Sequence, residues 1–211
     1  MYTIQNKILS EVKSNMSYDN CNFHLADKEV KYYLENSYFI NCNFKKEIHF
    51  SSLERCSFVN CKFSKVVMDL SAQLLEKIPE YVFELNFINV LHLYENKITC
   101  LSSSIAKMKN LYQLVLLRNE IFHFPNVITN LVSLDHINLC GNRIKTIPKS
   151  ISKIENLTSL YLRWNKISKL PKEIGRLSKL RELDLEGNPI SKRQQNYIRC
   201  LLPNCNIYFG K

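Results

Sequence analysis

Apolar residues recur along the second half of the chain in one fixed frame. Ile88, Leu91 and Leu93 are followed by Asn96 and Ile98, and the same five places return from Leu111, Leu134, Leu157 and Leu180. The frame reads LxxLxLxxNxI, and Asn96, Asn119, Asn142, Asn165 and Asn188 stand 23 residues apart without a slip. Self-similarity at one such period marks a stacked solenoid. The alternating Leu residues put one face of a short strand inward. Asn then turns the chain, and its amide has both a donor and an acceptor for the backbone of adjacent coils. The next stretch, IPKSISKI or LPKEIGRL, leads the chain back along the opposite side, with Pro opening a short helical turn. One coil cannot bury its own apolar face, so the pattern predicts stacked neighbours around a continuous core.

The frame extends upstream with decreasing regularity. Met68, Leu70, Gln73, Leu75, Ile78, Pro79, Val82 and Leu85 fit a sixth repeat in which Gln takes the place of Asn. Further back, YDNCNF, FINCNF and FVNCKF put Cys21, Cys42 and Cys61 at that place, in shorter coils with Phe inside. CSFVNCKFSK also reads as two CxFxx units, so these coils fit a pentapeptide-type solenoid as well. The twelve residues from Cys61 to Gln73 are too few for a whole coil, which predicts a junction near residues 64–68. After Ile190, SKRQQNYIRCLL predicts a helix capped by Ser191. LPNCNIYF then offers Leu202, Cys205 and Ile207 to the same strand frame and closes the stack against edge pairing. The expected organisation is an N-terminal solenoid-like region over 1–64 with three NCxF coils, six repeats over 65–190 and a cap over 191–211.

These residues resemble the leucine-rich-repeat family, in its bacterial 23-residue LPxxIxxL class. The resemblance implies an α/β leucine-rich-repeat solenoid: a curved parallel sheet with short helical or irregular convex segments, closed by a C-terminal helix and strand. It also implies a non-catalytic protein-interaction module that grips its partner with the concave sheet face. Translocated bacterial effectors are among the similar proteins, so the implied partner is a host or bacterial protein, with blockage of a partner's active site as one mode. The chain has no F-box-like or ligase segment, which argues against a ubiquitin ligase.

Composition narrows the classes further. No apolar run reaches the roughly 18 residues of a membrane span, and MYTIQNKILSEVKSNMSYDN lacks the apolar stretch of a secretory signal. A cytoplasmic chain at synthesis is expected, with export into a host cell following only from the effector resemblance. The eight cysteines form no CxxC pair, and no His-x-x-x-His lies near Cys56 and Cys61 or Cys200 and Cys205. No metal, no cofactor and free thiols are therefore expected. The net charge of +10 is local: residues 1–140 hold 14 basic and 14 acidic side chains, whereas 141–200 hold 14 against 5.

On the inner sheet face the frame predicts a patch of Tyr94, Val115, Leu117, Cys140, Tyr161 and Trp164, edged by Arg118 and Arg163. The acidic strand Glu182, Asp184 and Glu186 lies beside it. Tyr, Trp and Arg dominate binding hot spots, so Tyr94, Val115, Leu117, Arg118, Tyr161, Arg163, Trp164 and Asp184 are the candidate partner-binding residues. Lys145, Lys149, Lys153, Lys169, Lys172, Arg176, Lys179, Lys192 and Arg193 fall on the loops and outer flank, where nucleic acid or anionic lipid is the alternative ligand. No aromatic residue is interleaved there in sequence, which disfavours nucleic acid. Catalysis lacks a motif: the histidines are scattered, and Cys140 has no positioned base.

Overall fold

The computed structural model describes residues 2–25 and 30–210 and divides into two compact units, Met1–Leu70 with Phe87–His92, and Ser71–Asn86 with Leu93–Lys211. The first unit is built of strands β1 (Tyr2–Gln5), β2 (Ile8–Leu9), β3 (Met16–Asp19), β4 (Asn22–Phe23) and β5 (Lys31–Glu35). They are followed by β6 (Tyr38–Ile40), β7 (Asn43–Glu54), β8 (Ser57–Val59), β9 (Lys62–Asp69) and β10 (Val90–His92). One sheet runs β1-β3-β6-β8, and a second contains β2-β4-β7-β9-β10 with β5 paired to β7, all parallel. Two columns of rings fill the space between them. Tyr18 and Phe39 stack at 5.0 Å and Phe39 and Phe58 at 4.6 Å, while Phe23, Phe44, Phe63 and Phe87 stack at 4.6, 4.7 and 4.4 Å. These separations equal the coil spacing of a parallel ladder, so each coil adds one ring to each column.

The five-residue spacing of the rings sets this geometry: Tyr18 and Phe23, Phe39 and Phe44, and Phe58 and Phe63 each put one ring into each column. The turn is made by the Asn before the Cys: Asn20, Asn41 and Asn60 have φ of 50, 52 and 53°. Asn tolerates this left-handed backbone better than most residues. Cys takes only the donor half of the role read for it. Cys42 Sγ donates to Tyr18 O of the preceding coil at 3.5 Å and to Ile40 O at 3.3 Å. Cys61 Sγ does the same with Phe39 O and Val59 O at 3.4 and 3.5 Å.

Two sequence readings are corrected here. The expected junction at 64–68 is instead the middle of one uninterrupted strand, β9. The length mismatch is absorbed on β7, where the pairing with β9 shifts between Phe44 and Glu47 and the pairing with β5 shifts between Tyr32 and Tyr33. Such bulges insert a residue without breaking a strand. Gln73 is the second correction, since its side chain is exposed and makes no Asn-like ladder. Its neighbours Ala72 and Leu74 both have left-handed backbone, at φ 56 and 58°, which turns the side chain outward.

In the first unit His92 lies opposite Asp69 on neighbouring strands. Burial lowers the His92 pKa, against a smaller upward pull from Asp69. A histidine held below its unfolded pKa folds best when neutral, so its contribution is complete above about pH 6.5 and is lost as the pH falls toward the folded value. Thermal melts should show stability declining from pH 7 to 5.5, and His92→Gln should flatten that slope. An unaltered slope would assign the pH dependence to other groups.

The second unit is the repeat solenoid. Strands β11 (Gln113–Val115), β12 (His136–Asn138), β13 (Ser159–Tyr161), β14 (Glu182–Asp184) and β15 (Asn206–Tyr208) pair in parallel; Leu114, Ile137, Leu160 and Leu183 share one buried row, and the half-buried Ile207 ends it. The return segments hold short 3-10 turns at Glu80–Glu84, Ser103–Lys107, Asn126–Asn130, Lys149–Lys153 and Lys172–Arg176. Four of the five follow Pro79, Pro125, Pro148 or Pro171, because Pro has the φ of a helical start and needs no partner for an N–H. The fifth is capped by Ser102, whose hydroxyl accepts from Ser104 N.

The Asn ladder closes the turns from inside. Asn142 Nδ2 donates to Leu116 O at 2.9 Å and Leu139 O at 3.0 Å, and its Oδ1 accepts from Ile121 N at 3.0 Å. Asn119 and Asn165 repeat the arrangement one coil either way. Helix α1 (Lys192–Leu201) covers the last coil, with the Ser191 hydroxyl accepting from Gln194 N. The cap strand differs from the expected frame: Leu183 pairs with Ile207, so Cys205 does not occupy the strand-centre place. A turn closed by Cys205 N to Leu202 O follows the helix and spends residues that the repeat frame had assigned to the strand.

Candidate interaction surface

The turn after each strand of the second unit needs one residue in the left-handed region. Glu95, Arg118, Gly141, Trp164 and Gly187 fill it in successive coils. Glycine adopts this conformation freely, whereas a side chain costs about 1–2 kcal/mol. The large residues therefore occupy a strained row, and Arg118 and Trp164 each lie over the glycine of the next coil. A β-carbon on Gly141 would stand 3.2 Å from Arg118 Cγ, and one on Gly187 would stand 2.3 Å from Trp164 Cδ1. The indole thus rests directly on the Gly187 backbone, and no larger residue fits beneath it.

Arg163 completes that cluster from above. Its guanidinium carbon lies 4.2 Å from the indole centroid, and its Nη2 donates to Glu186 Oε1 at 2.7 Å. Trp164 N donates to Glu186 O at 2.8 Å. Arg163 Nε is buried with no acceptor. Trp164 is nonetheless 51% exposed. A strained tryptophan and an orphaned donor are two separate stability costs at one point.

Of the sequence candidates, Tyr161, Arg163, Trp164 and Asp184 come together on β13, β14 and their turns. Tyr161 OH donates to Glu182, which raises the Tyr161 pKa, with burial adding to the effect. Asp184 pairs with Tyr161 across the ladder, and its Oδ1 accepts from Glu186 N at 3.0 Å. Arg118 stands at the near end, exposed and ion-paired to Glu95 at 2.6 Å. Val115 and Leu117 are half-buried on the coil of β11. Tyr94 is half-buried too and lies three coils from Trp164, about 14 Å by strand spacing.

Cys140 does not belong to the exposed patch read for it. It is only 7% exposed, and burial pushes its thiol up to about 11. The turn glycine that follows lets the coil close over it, with Gly141 N donating to Arg163 O. His136 meanwhile pairs with Asp135, Nδ1 to Oδ1 at 2.6 Å. Among the described residues no group of three or more His, Cys, Asp or Glu is arranged to hold a metal ion, and no helix is long and apolar enough to cross a membrane.

Two aromatic residues escaped the sequence reading. Tyr208, 52% exposed, sits beside Asp184 and extends the row Asn138, Tyr161, Asp184. It was hidden by the misplaced cap register. Tyr197 of α1 comes beside Lys149 and Lys172 on the return segments, so the basic flank does carry an aromatic ring. A fold-back of the cap helix has no signature in local spacing.

All eight cysteines are free thiols. Thiol titration should count eight in denaturant and far fewer in the native state, with Cys100 and Cys200 reacting first because they alone are exposed. Reductant should leave the melting temperature unchanged, and a marked drop would reveal a bridge.

Comparison with known proteins places these observations. Leucine rich repeat patterns match residues 109–167, 132–190 and 179–205. A comparison with curated protein sequences returns no match. Similar solved structures include a leucine-rich-repeat protein of Leptospira interrogans, at 24% identity and TM-score 0.55 over 92% of this chain and 55% of that one. An internalin F of Listeria monocytogenes shows 18% identity and TM-score 0.56 over 93% and 54%. An internalin C2 of the same species shows 20% identity and TM-score 0.58 over 77% and 69%. The chain spans about half the length of the first two.

Proposed function

We infer the function of this leucine-rich-repeat protein from the surface of its repeats: it binds another protein through the strand face of the 93–211 unit, and without catalysis. Leucine-rich repeats generally serve as interaction scaffolds, which supports the coarse reading. The observation that carries the finer one is Trp164, held half-exposed in a strained turn, seated on Gly187 and stacked under Arg163. Trp and Arg at one rigid, partly desolvated point make a binding anchor, with Tyr161 and Asp184 beside it and Arg118, Leu117, Val115 and Tyr94 as the surrounding contact area. The partner surface that fits offers an apolar pocket for the indole and polar groups for the flanking Arg and acidic residues.

Cys140 is buried and its thiol is pushed up to about 11, which makes it a poor nucleophile and supports a non-catalytic role. The sharpest form of this reading is a bacterial effector that acts in a host cell by occupying a partner's working surface. Affinity capture from host and bacterial lysates tests it. The protein and its Tyr161→Ala/Trp164→Ala variant are compared by quantitative mass spectrometry, and the specific partner should be depleted at least tenfold with the variant. Equal recovery would move recognition off this face.

A further inference from the structure

The lysine excess of residues 141–200 surrounds a second feature on the opposite side of the repeats. A groove of about 600 Å³ lies between the return segments of two neighbouring coils and the cap helix. Its floor is the buried pair Ile147 and Leu170, and its walls are Pro148, Pro171 and the ring of Tyr197, which is 41% exposed. Lys149, Lys169 and Lys172 stand exposed around it. Elsewhere on the repeats arginines are neutralised, as in Arg118 with Glu95, Arg143 with Glu120 and Arg163 with Glu186. Among the described residues the three groove lysines have no such carboxylate. Glu173 lines the same groove, and its Oε2 is buried without a hydrogen-bond partner.

We propose that this groove is a second binding site, which takes an extended acidic segment of a partner protein carrying a large apolar side chain. The charge requirement follows from three unpaired lysines around one opening. The apolar requirement follows from the floor and walls, where a ring or branched side chain displaces water from Ile147, Leu170 and the Tyr197 face. Glu173 separates a peptide from other anions. An orphaned buried acceptor calls for a donor, and an extended peptide has backbone N–H groups to give, whereas phosphodiesters and anionic lipid headgroups bring mainly acceptors. The proposal does not depend on the strand-face reading, because none of these residues belongs to that surface.

Fluorescence anisotropy with a labelled nine-residue peptide tests it, the probe having a central Phe and four Glu on either side, at physiological ionic strength. The whole chain should bind the peptide saturably. Tyr197→Ala should weaken binding about tenfold, as should replacing the peptide's Phe by Ser. Lys149→Glu/Lys172→Glu should abolish it, whereas Lys153→Glu/Lys179→Glu, an equal charge change outside the groove, should leave it within about threefold. Trp164→Gly should have no effect, so failure here is distinguishable from failure of the strand-face reading. Tyr197 is a surface residue of α1, and far-ultraviolet circular dichroism confirms that its variant folds. Equal losses in the two lysine pairs would reduce the effect to general charge attraction. No saturable binding, indifference to Phe and Tyr197, or tighter binding of a ten-nucleotide oligothymidylate would each overturn the proposal.

Discussion

Asn142→Leu is expected to destabilise the protein by about 3 kcal/mol. The side chain is buried and serves one backbone N–H, Ile121 N, and three carbonyls, Leu116 O, Leu139 O and Cys140 O. Leucine keeps the volume but offers none of these bonds, and each orphaned buried group costs roughly 1–3 kcal/mol before the coil relaxes. For a chain of this size about 2–4 °C of melting temperature accompanies each kcal/mol, so calorimetry should record a fall of roughly 6–12 °C. Gln73→Leu is the internal control. It occupies the corresponding place in the sequence frame but is exposed, and its replacement should move the melting temperature by less than about 2 °C. Equal effects at the two positions would mean that the ladder is not what holds the coils together.

Trp164→Gly is expected to separate folding from recognition. Glycine releases the left-handed strain, about 1–2 kcal/mol, which offsets the lost packing of the buried half of the indole. Folding stability should therefore change by less than about 1 kcal/mol. Binding should weaken at least thirtyfold, the effect of losing a hot spot of about 2 kcal/mol or more. A melting curve and a binding isotherm on the same preparation check both halves. A variant much less stable than the original would make Trp164 a structural residue, and one that binds normally would remove it from the interface.

The repeats were legible because each coil obeys the same local rules. Inward Leu at alternate places, Asn at the turn and Pro before the return segment all fix backbone conformation within a few residues. What stayed hidden depends on distances between segments. The strain at Trp164 is invisible in a single LxLxxN string and emerges only when Gly141 and Gly187 fill the same place in adjacent coils. β9 runs straight through the expected junction because bulges on β7, a different strand, absorb the mismatch. Tyr208 and Tyr197 were missed because the cap's register and the fold-back of α1 are set by packing on the last coil. Cys140 looked exposed by its place in the frame, yet closure of the Gly141 turn buries it.

Hydrogen exchange of the protein bound to its captured partner tests most directly where recognition takes place. Binding at the strand face predicts new protection over residues 159–164, 182–187 and 206–208, with the return turns Lys149–Lys153 and Lys172–Arg176 exchanging as in the free protein. Protection confined to those return turns, with residues 159–164 unchanged, would contradict it.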